Sequence, residues 1–333
     1  MIVRLLLCAA LWVATSPAAA AGFQSASVPD PGKPSIDIGI WYPAEAPEAT
    51  RADNPFGQNL ALGSAVAGDH LPLVIVSHGK GGWLGGHADT ALALAEAGFI
   101  VVALTHPGDN RDDESSTASQ WMIDRPRHIA RVLDYMLGSW SGTDRVDPSR
   151  IGIFGFSAGA YTALVSIGGV PDLRAAAAHC AAVPRELACR LGLASDFERI
   201  GLSNVPPTAW VHDARIKAAV LAAPGGGFAF AGTALAGVTV PVQLWAAAQD
   251  ANVPNAANAE VVRRALPRPP ELHIVDGAGH FAFLQSCNPR LQAAAPDLWA
   301  VVCVDAPGFN RAEFHRLFNA SIVQFFYRQL GKP

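Results

Sequence analysis

The stretch of the sequence most suited to catalysis is Gly-Phe-Ser-Ala-Gly at residues 155–159, which fits the pattern G-x-S-x-G. A serine hydroxyl is a weak nucleophile at neutral pH and needs a general base within hydrogen-bonding reach. Glycines on both sides of the serine relieve crowding where a strand turns sharply into a helix. The pattern also arises by chance in a chain with 31 glycines. Ser157 is therefore a candidate nucleophile only if a strand, a helix, an acid and a histidine accompany it.

The general base that we predict is His280. It follows the last predicted core strand in the glycine-flanked loop Asp-Gly-Ala-Gly-His. An imidazole on such a loop can reach toward Ser157 and accept its proton. His106 and His212 are alternatives, but their positions suit this chain order less well.

A carboxylate must fix the tautomer of that imidazole and stabilise its cation. Asp250 ends the predicted strand VPVQLWAAAQD, 30 residues before His280. The resulting order of serine, aspartate and histidine is the one expected of a serine on a strand-to-helix turn. Asp276 and Asp213 are the competing candidates for the acid. We favour Asp250 because it follows a core strand, whereas Asp213 precedes one.

Acyl transfer also needs donors for the oxyanion that forms in the transition state. The loop Ser-His-Gly-Lys-Gly-Gly at residues 77–82 is rich in glycine, so the backbone N–H of Lys80 can point into the site. The second predicted donor is the N–H of Ala158, directly after the nucleophile. His78 would brace the loop. A phosphate-binding loop is the competing interpretation, but the G-K-[ST] ending is missing.

The segment THPGDNRDDESS contains a histidine and several aspartates, among them His106, Asp109, Asp112 and Asp113. These are residue types that bind metals, so a metal site is one interpretation. An acidic surface loop beside the pocket is the interpretation that we favour. We therefore predict that the protein uses no metal and no other cofactor.

The elements that must position these residues are short, continuous apolar runs, which alternate with segments of helical periodicity. Continuous hydrophobicity indicates strands that are covered on both faces. The pattern predicts an α/β fold with a mostly parallel central sheet flanked by helices. Ligands bind at the carboxyl ends of such strands, where the polar clusters lie. The strand runs are LPLVIVSHG, GFIVVALTHPG, RIGIFGFSAG, IKAAVLAAPGGG, VPVQLWAAAQD and ELHIVDGAGH.

One interval, at about residues 170–212, is too long for a simple crossover between strands. Its position predicts a lid or cap over the site. A decorated crossover without a role in substrate choice is the alternative. Three aromatic residues, Trp83, Trp121 and Phe156, are candidates for lining an apolar substrate pocket, and an ordinary place in the core is the alternative for each.

The composition is that of an ordinary globular protein, with 50% hydrophobic and 16% charged residues. A net charge of −4, a pI near 6.2 and the lack of a basic run argue against binding to nucleic acid or to anionic membranes. We expect one catalytic domain over residues 22–333.

The N-terminal sequence MIVRLLLCAALWVATSPAAAAGF has the pattern of a cleaved secretory signal. An arginine precedes a short apolar run, and small residues follow it. We predict a signal peptide over residues 1–21, a secreted or periplasmic protein, and no stable membrane span after cleavage. An uncleaved tether or a lipid anchor at Cys8 is the alternative.

Four cysteines remain after the predicted cleavage, an even number that suits disulfides in an oxidising compartment. Proximity in the sequence favours the pairs Cys180–Cys189 and Cys287–Cys303 among three possible pairings. A zinc site is the alternative, but the spacing of the cysteines does not fit one.

Several motifs in this order resemble the α/β-hydrolase proteins described as predicted dienelactone hydrolases, which are similar to platelet-activating-factor acetylhydrolases. The resemblance extends from about Ile36 to Cys287. It implies an α/β-hydrolase fold, with Ser157 as nucleophile and His280 as base, and with oxyanion donors at Lys80 and Ala158. The motifs are IWYPA, PLVIVSHGKGG, ALAEAGFIVVALTHPG, RPRHIARVLDYML, IGIFGFSAGAYTAL and GAGHFAFLQSC.

The sequence departs from the acetylhydrolases after the strand that follows the nucleophile. That strand ends in LAAPGGG and offers no carboxylate, which moves the acid to Asp250, the position used by dienelactone hydrolases. Those enzymes use a cysteine nucleophile, whereas this chain has Ser157. The family name therefore does not give the substrate.

From these residues we expect an exported serine hydrolase that cleaves a carboxylic ester through an acyl-enzyme intermediate. The expected substrate is a small-molecule or lipid ester. A lipase or phospholipid acetylhydrolase that works at lipid surfaces is one alternative. A catalytically silent binding protein with the same fold is the alternative from a different functional class.

Overall fold

The computed structural model of the protein describes residues 20–45, 54–201 and 205–333, and its centre is a nine-stranded sheet. The sheet order is β3-β1-β2-β5-β4-β6-β7-β8-β9. Strand β2 is antiparallel to both of its neighbours, and the six strands from β5 to β9 in that order are parallel. The strands are β1 (Ala20–Val28), β2 (Ile36–Ala44), β3 (Ala61–Leu62), β4 (Leu71–Ser77), β5 (Ile100–Thr105), β6 (Val146–Phe156), β7 (Ile216–Ala222), β8 (Val242–Ala247) and β9 (Glu271–Val275).

Helices cover both faces of this sheet. The α-helices of the described residues are α1 (Ala88–Glu96), α2 (Ala118–Gly138), α3 (Ala158–Ser166), α4 (Leu173–Ala182), α5 (Leu187–Arg190), α6 (Leu193–Ile200), α7 (Ala259–Ala265), α8 (Arg290–Ala294), α9 (Pro296–Val302) and α10 (Arg311–Leu330). Of these, α1 and α10 pack on one face of the sheet, and α2, α3 and α7 pack on the other. The prediction of an α/β fold with a mostly parallel sheet flanked by helices is confirmed.

Strand β4 shows why the apolar runs are continuous. Leu73 and Ile75 belong to the core shared with α2, α3 and α7, whereas Val74 and Val76 belong to the core shared with α1 and α10. Successive side chains of a strand point to opposite faces, so a sheet covered on both sides needs apolar residues at every position. The two cores therefore fix the sheet from both sides and leave the strand ends to carry the polar residues.

The long interval between β6 and β7 contains α4, α5 and α6 in addition to α3. A disulfide joins Cys180 in α4 to Cys189 in α5, with 5.2 Å between their Cα atoms. A second disulfide joins Cys287 to Cys303 near α9. These are the two pairs that proximity in the sequence favours.

The predicted signal peptide lies mostly outside the described residues, which begin at residue 20. Ala20 and Ala21 form the start of β1, where they pair with Ala44 and Pro43 of β2. Within the described ranges, no helix has both the length and the apolar character needed to cross a membrane.

Candidate active site

Ser157 occupies a sharp turn between β6 and α3. Its backbone has φ 53° and ψ −116°, and only three described non-glycine residues have a positive φ. A Cβ on Gly155 would lie 2.2 Å from the carbonyl oxygen of Gly159, and a Cβ on Gly159 would lie 2.0 Å from that of Ser77. Both positions therefore require glycine. The turn holds Ser157 in a strained conformation, which the surrounding packing must maintain.

The predicted base and acid lie next to this serine. His280 Nε2 is 3.0 Å from Ser157 Oγ, and His280 Nδ1 is 2.7 Å from Asp250 Oδ2. All three residues are buried. The other carboxylate oxygen of Asp250 accepts the backbone N–H groups of Asn252 and Val253. When the Nδ1 proton is donated to Asp250, Nε2 is free to accept the proton of the Ser157 hydroxyl.

The competing candidates lie elsewhere. Asp213 forms an ion pair with Arg215 at the start of β7, and Asp276 is exposed after β9. His212 is 3.3 Å from the carbonyl oxygen of Gly169. The structure brings together Ser157, Asp250 and His280 because β6, β8 and β9 are parallel and end at the same edge of the sheet.

The two predicted oxyanion donors lie beside the serine. Lys80 and Ala158 line the same cavity as Ser157. Neither of their backbone N–H groups donates a hydrogen bond to another described residue. Free N–H groups beside a nucleophile are what an oxyanion hole requires.

A buried ion pair lies behind the loop that carries Lys80. Asp109 and Arg125 are fully buried, with 2.9 Å between Arg125 Nε and Asp109 Oδ2. Asp109 also accepts the backbone N–H of Gly81 at 3.2 Å and lies 3.0 Å from Lys80 Nζ. Burial raises the pKa of Asp109, but the charges of Arg125 and Lys80 outweigh it, so the pKa lies below its ordinary value.

Arg125 extends this contact to the backbone of the loop. Its guanidinium donates to the carbonyl oxygens of His78 at 2.7 Å and Gly79 at 3.1 Å. We call Asp109 and Arg125 together the loop clamp, because their contacts hold the backbone on both sides of Lys80. The sequence analysis missed this pair. The sequence does contain one indication that Arg125 is buried, since Arg125 lies on the apolar stripe of α2 with Met122 and Ile129.

Three buried histidines surround the clamp. His106 Nε2 is 2.9 Å from Ser77 Oγ, its Nδ1 is 3.2 Å from His128 Nδ1, and its backbone N–H donates to His78 Nε2. Burial and then the charge of Arg125 lower the pKa of His78 to about 3. Burial lowers the pKa of His128 to about 4 and that of His106 well below its ordinary value. All three are therefore neutral near pH 7.

The expectation of an acidic surface loop after β5 needs correction. His106 and Asp109 lie in the interior, because Arg125 and the other histidines satisfy them there. Of the four residues considered as metal ligands, Asp112 and Asp113 are the exposed ones. In the described part of the chain, no three histidine, cysteine, aspartate or glutamate side chains are grouped in a way that could hold a metal ion.

A narrow apolar cavity of about 50 Å³ opens at Ser157. Trp121 lies in its wall, as the sequence analysis expects of an aromatic pocket residue. Phe156 and Trp83 do not line this cavity. The Phe156 ring packs 5.0 Å from the His280 ring in the core, and Trp83 stacks on Phe56. The remaining apolar lining comes from Ala118, Met122, Tyr161, Leu187, Ala188, Leu191, Leu193 and Val253.

The interval between β6 and β7 supplies part of this wall through Leu187, Ala188, Leu191 and Leu193. Buried Glu186 fastens it to the body of the protein. Its carboxylate is 2.6 Å from His179 Nε2 and accepts from Asn258 Nδ2 at 2.7 Å. Asn258 Oδ1 accepts the backbone N–H of Gly227, next to the cavity-lining Gly226. Sequence reasoning did not identify this connection, since its members are far apart in the chain.

Comparisons with known proteins agree with this architecture. The sequence model of the dienelactone hydrolase family matches residues 60–194. Poly(3-hydroxyalkanoate) depolymerase C from Paucimonas lemoignei is 28% identical over 156 residues, which are 44% of this chain and 36% of that protein. This match therefore spans about a third of the depolymerase.

The structure is similar to that of a ferulic acid esterase from Streptomyces cinnamoneus, with a TM-score of 0.58 and 19% sequence identity. The likeness covers 95% of this chain and 92% of the esterase. The chain is thus a protein of the α/β-hydrolase fold, similar to the dienelactone hydrolase family over residues 60–194.

Proposed function

We propose that the protein hydrolyses carboxylic esters through an acyl-enzyme intermediate on Ser157. The observation that carries this proposal is the continuous hydrogen-bonded series from Ser157 through His280 to Asp250, with distances of 3.0 and 2.7 Å. The comparisons support the same class of reaction, because the matched family is a hydrolase family and the structural neighbour is an esterase.

In this mechanism, Ser157 Oγ attacks the ester carbonyl carbon while His280 Nε2 takes the hydroxyl proton. The Asp250 carboxylate stabilises the imidazolium. The backbone N–H groups of Lys80 and Ala158 donate to the oxyanion. Collapse of this intermediate breaks the ester bond, and the alcohol leaves with the proton from His280.

Water then completes the reaction. His280 removes a proton from a water molecule, which attacks the acyl carbon. As the second tetrahedral intermediate collapses, the bond between the acyl carbon and Ser157 Oγ breaks, His280 returns the proton to Ser157 Oγ, and the acid leaves. The sum is one ester and one water converted to one acid and one alcohol. No redox step takes part in it.

The proposal includes a cap formed by α4, α5 and α6. Its support is that side chains from this segment complete the wall of the cavity at Ser157. The Cys180–Cys189 disulfide and the contact between Glu186 and Asn258 fasten the segment. Replacing Leu187 by alanine should therefore change the preference among acyl chain lengths. An unchanged preference would favour a crossover without a role in substrate choice.

We also propose export to an oxidising compartment, either the periplasm or the medium. The two disulfides support it, because such bonds persist in oxidising compartments. Sequencing the N-terminus of the protein recovered from that compartment tests it. Cleavage near Ala20 or Ala21 is expected, and a mature protein that still begins at Met1 would contradict it.

A fluorescent fluorophosphonate probe tests the catalytic proposal, because it reacts with an activated serine. We expect labelling of the purified protein and its loss in Ser157→Ala. The matched control is Ser166→Ala, since Ser166 lies in the same turn-and-helix segment and its hydroxyl donates to the carbonyl oxygen of Thr162, away from His280. Labelling should persist in that control. A folded wild-type protein that is not labelled would favour the silent binding protein.

A second candidate function is hydrolysis at a lipid surface, and exposed apolar residues near the site favour it. Leu191 lines the cavity and is 46% exposed. Val301 and Val304 line a neighbouring cavity with His280 and are each 60% exposed. A hydrolysis rate that rises sharply once a long-chain ester forms micelles would support this function. Ordinary saturation through that concentration would favour a small soluble ester.

A further inference from the structure

The wall of the cavity at Ser157 contains a buried hydroxyl without a partner. Tyr161 lines the cavity and is fully buried. Its hydroxyl makes no hydrogen bond to any residue in the described ranges. Burial raises the pKa of Tyr161 well above its ordinary value, so the hydroxyl keeps its proton and can act as a donor.

The surroundings of this side chain are apolar. The Tyr161 ring packs 5.7 Å from the Trp121 ring and 5.3 Å from the Phe230 ring. An unpaired hydroxyl in such a place costs free energy, and phenylalanine would fill the same space without that cost. The hydroxyl forms no hydrogen bond with the described residues that would stabilise the fold, so it is available to a molecule that enters the cavity.

The position of Tyr161 relates this donor to the reacting group. Tyr161 begins the second turn of α3, four residues after Ser157, and its N–H donates to the Ser157 carbonyl oxygen at 3.2 Å. Four residues of helix rise about 6 Å. Tyr161 thus lies about one helical turn from Ser157, and both residues line the same cavity, so an acyl chain bound at Ser157 shares that cavity with the Tyr161 side chain.

Two other polar side chains of the cavity, Lys80 and Ser157, are already paired, and the indole of Trp121 is the remaining one with an N–H group among the described lining residues. Lys80 Nζ is 2.7 Å from Glu114 and 3.0 Å from Asp109, and Ser157 is paired with His280. The Tyr161 hydroxyl is therefore a fully buried donor in this wall that is open to a polar atom of a substrate.

We infer that Tyr161 determines specificity by donating a hydrogen bond to an oxygen carried on the acyl chain. The substrate class is then an ester of a hydroxy-, alkoxy- or keto-substituted acyl group rather than a plain fatty acyl ester. This inference rests on the proposed ester hydrolysis at Ser157. Sites that hydrogen-bond a substrate discriminate strongly against analogues that lack the bonding atom.

Two pairs of 4-nitrophenyl esters test the inference. Methoxyacetate is paired with butyrate, and 3-methoxypropanoate with pentanoate, so that each pair differs by an oxygen in place of a methylene. The measured quantity is a ratio, kcat/KM for the ether ester divided by kcat/KM for its alkyl partner. Comparing this ratio between wild type and Tyr161→Phe cancels the intrinsic reactivity of the esters.

We expect Tyr161→Phe to lower this ratio by about 5- to 100-fold for at least one pair. The thermal midpoint should stay the same or rise, because an unpaired buried hydroxyl has been removed. Tyr327→Phe is the matched control. It removes a hydroxyl that donates to the Ala97 carbonyl oxygen at 2.6 Å, so it should lower the midpoint and leave the ratio unchanged.

Three results would overturn the inference. Both ratios could change by less than about twofold, which is below the effect of one hydrogen bond. Tyr161→Phe could slow all four esters equally, or it could destabilise the protein as the Tyr327 control does. If Ser157→Ala still abolishes hydrolysis in those cases, the proposed function stands and only the inference fails. A wild type that hydrolyses none of the four esters would overturn both.

Discussion

Replacing Asp109 by asparagine should impair turnover and stability together, because the loop clamp holds the backbone that presents the Lys80 N–H. Asp109 and Arg125 are fully buried and lie 2.9 Å apart. The same carboxylate accepts the Gly81 N–H and lies 3.0 Å from Lys80 Nζ. Asparagine keeps the size of the side chain and removes its charge, so the substitution isolates the electrostatic part of the clamp.

The expected loss of stability in Asp109→Asn follows from the burial of Arg125. Without the Asp109 carboxylate, the guanidinium of Arg125 is a buried cation whose hydrogen bonds go to neutral backbone carbonyl oxygens, those of His78, Gly79 and residue 109. Removing one partner of a buried ion pair costs about 3–5 kcal/mol. We expect the free energy of unfolding in urea to fall by that amount.

The expected loss of kcat in Asp109→Asn follows from the role proposed for the Lys80 N–H. Losing one oxyanion donor lowers kcat by about 10²–10³-fold, and displacement of the loop by Asp109→Asn should approach this loss. Because the donor acts mainly on the transition state, KM should change much less than kcat. Steady-state hydrolysis of 4-nitrophenyl acetate gives both constants.

Asp112→Asn is the matched control, since it removes the same charge from the same segment at an exposed position that pairs only with Arg111. It should leave kcat and stability close to those of the wild type. If Asp109→Asn fails to fold, Lys80→Met provides a milder perturbation that keeps Asp109 paired with Arg125. An Asp109→Asn protein that is destabilised but keeps a kcat within about twofold of the wild type would refute the positioning role.

Three further predictions concern the acid, the histidines and the cap. Asp250→Asn should lower kcat by about 10⁴-fold, whereas Asp276→Asn should leave it near normal in the same ester assay, and the reverse pattern would exchange their roles. His128 has a native pKa of about 4 against an ordinary value of 6.5, so the unfolded chain binds more protons between these pH values and stability falls as pH falls. Between pH 7 and pH 5 the free energy of unfolding in urea should fall by about 2 kcal/mol because of His128. His128→Gln should lose that part of the pH dependence, and a variant whose stability depends on pH as the wild type does would contradict this prediction. Replacing Cys180 and Cys189 by alanine should cost about 3 kcal/mol of unfolding free energy through loop entropy, and equal stability would show that the disulfide does not constrain the unfolded chain.

The fold and the central site residues follow from local patterns in the sequence. Continuous apolar runs require a sheet covered on both faces, and parallel strands bring their carboxyl ends to one edge. Ser157 follows β6 directly, and Asp250 and His280 lie in the short loops after β8 and β9, so the sheet brings all three to one edge. This is why three residues separated by up to 123 positions can be predicted together.

The loop clamp was not predicted because its existence depends on long-range burial. Asp109 lies among exposed acidic residues in the sequence, and nothing near it shows that its side chain turns inward to Arg125 in α2. The same applies to Glu186 and Asn258, which are 72 residues apart. Such contacts become visible only when the helices are placed against the sheet.

The aromatic residues considered for the pocket show a second limit of prediction from the sequence. Phe156 faces the same core as Phe154, because side chains of a strand alternate with a period of two. This alternation was readable from the sequence and argued against a place in the pocket. Trp83 stacks on Phe56, and Arg111 lies over its ring at 3.9 Å. That arrangement depends on loop conformations that no periodicity specifies.

In the proposed mechanism, hydrolysis of the ester passes through an acyl group on Ser157. The most direct measurement is peptide mass mapping of the protein after acid quenching during turnover of 4-nitrophenyl acetate. We expect one acetyl group on the peptide that contains Ser157, and we expect both this group and turnover to be lost in Ser157→Ala. An acetyl group on another residue, or turnover that survives Ser157→Ala, would contradict it.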